Sequence, residues 1–209
     1  ETAPLVEQLF TVDLSNRMTV PVRVNGSDPM PFVVDTGAER TVIAHDFAQR
    51  LALAAGPNLR LATITGPAEV KSYLISKLST DSVQIEMLEA PGLDRRNLGA
   101  YGLLGIDSLE KHKILIDFKG SSMKVLPSPL VKRGKKTEVE KNMIIVTARR
   151  KAGRMILSNA HIGSMKVDVI LDTGASSSMG NEALRRRLRS SQRLFGYKDV
   201  YMRSVTGEI

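Results

Sequence analysis

Apolar and polar residues alternate from Met18 to Val24, with Val20, Val22 and Val24 separated by Pro21 and Arg23. That period of two predicts a half-buried strand, and Asn25-Gly26 directly after it predicts a hairpin turn. The return strand runs from Met30 to Val34 and ends abruptly at Asp35. Further on, Phe47 and Leu51 stand one helical turn apart and predict a short helix over residues 45–51. Leu61 to Thr65 predicts a strand entering a turn at Gly66, with Val70 to Ile75 returning from it. His112 to Phe118 and Met123 to Leu126 predict two strands around the Lys119-Gly120-Ser121-Ser122 turn. At the start, Val6 to Phe10 predicts an edge strand.

The pattern then repeats. Phe32-Val33-Val34-Asp35-Thr36-Gly37-Ala38 returns as Val169-Ile170-Leu171-Asp172-Thr173-Gly174-Ala175, a shift of 137 residues. The same shift aligns Met18 with Met155, Gly26 with Gly163, Phe47 with Leu184 and Leu51 with Leu188. With four added residues, Thr63-Ile64-Thr65-Gly66 meets Ser204-Val205-Thr206-Gly207. An apolar run ending at Asp-Thr-Gly reads as a buried strand that delivers one carboxylate to its tip, with glycine allowing the tight turn after it. Two such tips suggest two carboxylates face to face, sharing one proton, so that one acts as base toward water while the other acts as acid.

Both copies match the signature of the aspartic peptidases, apolar-apolar-Asp-Thr/Ser-Gly-Ala/Ser, and the chain resembles that family in its retropepsin-like or pepsin-like form. Tyr101-Gly102-Leu103-Leu104-Gly105 resembles the element that the family threads behind its catalytic loop, and the hairpin around Gly66 resembles the family's substrate-covering flap. The resemblance implies an all-β, acid-protease-like fold of closed barrel lobes, two in tandem and related by internal duplication. The first lobe would span residues 1–130, a basic linker 131–141 and a partial second lobe 142–209. Asp35 and Asp172 would form the catalytic dyad. Thr36, Gly37, Ala38, Thr173, Gly174 and Ala175 would support it, with the threonines bonding across the two loops. Thr65, Gly66, Tyr73, Thr206 and Gly207 would belong to flap or substrate-binding segments, and Leu103, Leu104 and Gly105 to the structural loop. No metal or cofactor is implied. A second Leu-Leu-Gly would fall about 70 residues after Asp172, past Ile209, so the chain is expected to continue. The resemblance and the lack of an initiator Met lead to the expectation of a periplasmic or secreted protein.

Composition narrows the alternatives. Hydrophobic residues make up 42% and charged residues 25%, an ordinary globular balance. No run approaches the roughly 18 apolar residues of a membrane helix. There is no Cys and no Trp, so disulfides and thiolate metal sites are excluded, and the stacking surfaces of single-strand nucleic-acid binders are disfavoured. The net charge of +8 is concentrated between Val131 and Lys151, and this run reads as a solvated basic linker rather than a specific nucleic-acid site. Arg185-Arg186-Arg187-Leu188-Arg189 reads as a solvated helical face. His45, His112 and His161 lack the spacing of a zinc motif, and Ser176 to Ser178 lack a Gly-x-Ser-x-Gly elbow. The expected partner is a polypeptide in extended form, met by a two-lobed monomer or by a homodimer. Two readings compete with the intrachain dyad: a homodimer pairing two Asp35 residues, and a peptide-binding module without catalysis.

Overall fold

The computed structural model describes residues 6–13, 15–63, 66–109, 112–117, 122–127, 149–151, 154–190 and 204–207. The expected linker 131–141 and Thr65 lie outside these residues.

In the first half, β1 (Val6–Leu9) and β2 (Thr11–Val12) lead into β3 (Met18–Val24) and β4 (Met30–Val34). The alternation in β3 has its physical counterpart in the fold, where Val20, Val22 and Val24 are buried and Pro21 and Arg23 are exposed. Asn25 and Gly26 both take positive φ, 49° and 79°, as the tight connection between right-twisted strands requires. After β4 come β5 (Val42–Ala44), helix α1 (His45–Arg50), the hairpin β6 (Leu59–Thr63) and β7 (Gly66–Val70), and then β8 (Ser72–Ser79) and β9 (Gln84–Leu93). A short α2 (Arg95–Leu98) precedes β10 (Gly102–Leu104), α3 (Ile106–Leu109), β11 (His112–Asp117) and β12 (Ser122–Pro127).

Six of these strands close on themselves. The order β3-β4-β10-β5-β9-β8 returns to β3 through Arg23↔Ser79 and Val24↔Leu78. Closure removes the sheet edges on which strands would otherwise pair wrongly. Its interior is filled by Val20, Val22, Phe32, Val34, Ile43, Ile75, Leu78 and Leu104, with Phe47 of α1 packed edge-on against Phe32 at 6.3 Å between ring centroids. Outside the barrel, β1 pairs antiparallel with β12, which pairs with β11. The N-terminal segment is thus an edge strand, as its sequence suggests.

The element that matters for the site is β10. It runs parallel to β4, with Gly102 opposite Phe32, Leu103 opposite Val33 and Leu104 opposite Val34. The two strands therefore end side by side, with Asp35 immediately beyond. Gly102 has a steric reason: an added Cβ would strike the Phe32 ring and the Val42 carbonyl.

The hairpin differs in register from the sequence reading. Its strands are Leu59–Thr63 and Gly66–Val70, with Thr63 opposite Gly66, so Gly66 opens the second strand. Tyr73 falls outside the hairpin, on β8. The cause is Ser72, which is buried and donates its hydroxyl to the Pro57 carbonyl at 2.6 Å, fixing the start of β8 just before Tyr73.

The second half contains β13 (Arg149–Lys151), β14 (Arg154–Ile162), β15 (Met165–Ile170) and α4 (Glu182–Ser190). β14 and β15 form a hairpin turning at Gly163, whose φ is 60°, and the Asp-Thr-Gly loop leads from β15 toward α4. The first half has the same order of hairpin, loop and helix, with β5 added between its loop and α1. The packing is not repeated. Val33, Val34 and Val42 are 0%, 0% and 4% exposed, whereas the positions matched to them, Ile170, Leu171 and Met179, are 41%, 39% and 52% exposed. No residue of α4 is buried. No helix among the described residues is long and apolar enough to cross a membrane.

Candidate active site

Each aspartate is held by the turn that follows it. Asp35 Oδ1 accepts the N–H groups of Gly37 and Ala38, both at 2.9 Å. Asp172 Oδ1 accepts those of Gly174 and Ala175 at 2.9 and 3.0 Å. Glycine at the second loop position lets the backbone fold back onto the carboxylate. It also meets a stricter demand, because each glycine lies against the carboxyl group of the opposite loop: a Cβ on Gly37 would collide with the Asp172 carboxyl, and one on Gly174 with that of Asp35.

The threonines lock the loops together. Thr36 N–H donates to Thr173 Oγ1, and Thr173 N–H donates to Thr36 Oγ1, both at 3.2 Å. Each hydroxyl then donates across to a carbonyl of the other half, Thr36 to Leu171 at 2.7 Å and Thr173 to Val34 at 2.5 Å. Thr36 is buried, so these bonds form where leaving a hydroxyl or an amide unpaired would be costly. The near two-fold symmetry of the bonds makes the two carboxylates neighbours.

Their surroundings are unequal. Asp35 is partly buried, and its N–H donates to the Leu104 carbonyl of β10 at 2.9 Å, whereas Asp172 is exposed. Burial, the charge of Asp172 and a side-chain hydrogen bond with it push the Asp35 carboxyl up to about 6, against the opposing pull of the Ala38 and Gly37 amides. Burial beside a second carboxylate therefore favours the protonated form of Asp35.

The other expected site residues fall as follows. Leu103, Leu104 and Gly105 lie directly behind the Asp35 loop, and the space for a Gly105 Cβ is taken by the Arg40 backbone. Gly66 stands in the hairpin. Tyr73 is turned to His45, its hydroxyl 3.1 Å from His45 Nδ1, and it belongs to the wall of α1 and β8 rather than to the hairpin. Thr206 and Gly207 sit in a turn seated on the first half. Ser204 is buried, Val205 packs on the first half's core, and Gly207 lies against the Asn97 side chain. The apolar Val205 gives that turn a docking contact which a free hairpin tip would lack.

One group of residues carried no role in the sequence pattern. Thr41, Asp107 and Ser108 are joined by hydrogen bonds beneath the Asp35 loop. The only sequence signal was a lone aspartate inside the apolar run that follows Leu103-Leu104-Gly105. Among the described residues there is no group of three or more His, Asp and Glu arranged to hold a metal ion.

A closed barrel that presents an Asp-Thr-Gly loop beside a parallel Gly-Leu-Leu strand is an all-β, acid-protease-like fold. Residues 20–108 match the model of the aspartyl protease family. Among solved structures, a retropepsin-like aspartic protease from Rickettsia conorii is similar over 60% of this chain and 94% of that one, at 18% identity and a TM-score of 0.44. Among curated proteins, none matches the chain.

Proposed function

We propose that the protein is an aspartic endopeptidase whose catalytic dyad is Asp35 and Asp172 of one chain. The observation that carries this reading is the reciprocal fit of the two loops, each glycine against the other's carboxyl and each threonine bonded to the other strand end. An amide is a weak electrophile, so cleavage without a covalent nucleophile needs water activated and the carbonyl polarised together. Two carboxyls sharing one proton supply both. The ionised member takes a proton from water as its oxygen attacks the carbonyl carbon, and the protonated member donates to the carbonyl oxygen. The resulting tetrahedral species collapses as the nitrogen gains a proton and leaves. The Asp35 carboxyl, pushed up to about 6, supplies the proton-holding side of such a pair.

The substrate is a polypeptide in extended form, aligned by strand-like hydrogen bonds and covered by the Leu59–Val70 hairpin. No cofactor or metal takes part in this scheme. A periplasmic or secreted location is the corresponding proposal, tested by fractionation of the native host.

Internal duplication accounts for the matched order of hairpin, loop and helix in the two halves. A second assembly is favoured by one specific observation: the first half closes its own barrel and core, while the matched positions of the second half are exposed. A homodimer with a dyad of two Asp35 residues would use only the closed halves.

The test is cleavage of a denatured protein at weakly acidic pH. Asp35→Asn is expected to lower kcat by about 10²-fold or more, since an amide can neither take nor share the proton. Cleavage at the wild-type rate by Asp35→Asn would refute the dyad.

A further inference from the structure

Behind the Asp35 loop lies another carboxylate, which the dyad does not use. Asp107 Oδ1 accepts the Thr41 N–H at 2.9 Å, the Thr41 hydroxyl at 2.7 Å and its neighbour Ser108's N–H at 2.7 Å, and Oδ2 shares the Thr41 N–H at 3.0 Å. The Thr41 hydroxyl in turn accepts the Gly105 N–H at 3.1 Å and meets the Ser108 hydroxyl. One proton given and two accepted exhaust what a hydroxyl can do. Thr41 and Ser108 are buried and Asp107 is half-buried, so water competes for these bonds less than it would at an open surface.

The network closes a clasp around the loop. At one end the Asp35 N–H is held by the Leu104 carbonyl at 2.9 Å, and midway the Ile106 N–H is held by the Ala38 carbonyl at 2.9 Å. Asp107 fixes the other end, at Thr41. Between these anchors lie Gly37 and Ala38, whose amides point at Asp35 Oδ1. Ser178, the residue matched to Thr41 in the second half, is exposed.

We propose that Asp107 is a positioning residue for the Asp35 carboxyl: by binding Thr41 it sets the path of the loop and keeps the Gly37 and Ala38 amides on Asp35. The inference rests on Asp35 being half of the proposed dyad. The Asp107 side chain bonds Thr41 and Ser108 rather than Asp35, so it acts through the loop. The reasoning is that misplacement of a catalytic group by about 1 Å can cost about 10²-fold in rate, and that support from outside the reacting groups sets such placement.

Charge and geometry pull in opposite directions, which makes the test sharp. Asp172 is the carboxylate that faces Asp35 across the loops, and Glu39 and Arg40 lie on the clasped loop itself. Deleting the negative charge of Asp107 alone would lower the pKa of Asp35, by removing a nearby like charge. Loss of the amide bonds would raise it, because those bonds favour the ionised form. Asp107→Asn removes the charge while keeping the Oδ1 acceptor, and Asp107→Ala removes both.

The titration of the Asp35 carboxyl carbon by NMR reads this directly and does not depend on cleavage. In Asp107→Ala the pKa of Asp35 is expected to rise by about half a unit or more, and in Asp107→Asn to stay or fall. On a peptide substrate, the Ala variant should lose about 10- to 100-fold in kcat with KM within about threefold, and the Asn variant should recover most of it. Thr41→Val, which deletes the hydroxyl with its one donated and two accepted bonds but leaves the Thr41 N–H on Asp107, should give a smaller rise, and it serves if Asp107→Ala does not fold. An unchanged or lowered pKa of Asp35 in folded Asp107→Ala, or in Thr41→Val in its place, overturns the proposal. A wild-type protein that cleaves no peptide would sink the peptidase reading, while the titration would still decide the role of Asp107.

Discussion

Asp35 is an acid whose folded pKa lies above its unfolded value, about 6 against 3.8, chiefly because the barrel end takes it partly out of water. Between those two values the folded chain binds more protons than the unfolded one, so this carboxyl makes stability fall as pH rises. Its contribution is intact below about 3.8 and lost as pH passes through 6. Two pKa units correspond to about 3 kcal/mol at most. Asp35→Asn is therefore expected to unfold at higher denaturant concentration than wild type at pH 7.5 and to differ little at pH 4, which urea titrations at the two pH values would check. Equal midpoints at pH 7.5 would contradict the burial of this charge. The aspartates, threonines and glycines of this site were legible in the sequence because the chemistry demands those residue types side by side, twice. Asp107 was not legible, because its partner Thr41 is 66 residues away and nothing local marks the bond between them.

Strands with a strict alternation could be read almost to the residue. Met18–Val24 and Met30–Val34 were legible because one face must be buried and a shift of one residue would turn every valine outward. The Leu59–Val70 hairpin was harder to place. Its residues are half-buried or exposed along both strands, so burial does not fix the register, and the buried Ser72 that does so lies beyond it. A two-stranded hairpin with so little buried surface is marginal by itself. Its amides should exchange fast in the free protein, and those of Leu59–Thr63 and Gly66–Val70 should gain protection when a substrate-like inhibitor binds. Protection rising only in other segments would move the proposed cleft away from the hairpin. At β10, Gly102→Ala forces a methyl group into the Phe32 ring and the Val42 carbonyl, and a loss of about 1–3 kcal/mol in unfolding free energy is expected. A thermal shift of zero would mean that β10 does not lie so tightly on β4.

Across the whole molecule, the first half is a closed barrel with its own core, and the second brings it a carboxylate on a loop that follows the exposed Ile170 and Leu171. The repeat of 137 residues made both halves legible as loops, but the unequal burial of their matched apolar positions could not be read from a pattern that is nearly the same in both. The halves meet through the Thr36 and Thr173 bonds and through the docking of Val205. The central claim is that Asp35 and Asp172 of the same chain form one dyad. The most direct measurement is peptidase activity of Asp35→Asn, Asp172→Asn and an equimolar mixture of the two. The intrachain dyad predicts that each variant loses about 10²-fold or more, and that mixing restores nothing, because every molecule then carries one neutral member. Near-normal activity in Asp172→Asn alone, or recovery of activity on mixing, would contradict it and place the dyad between chains.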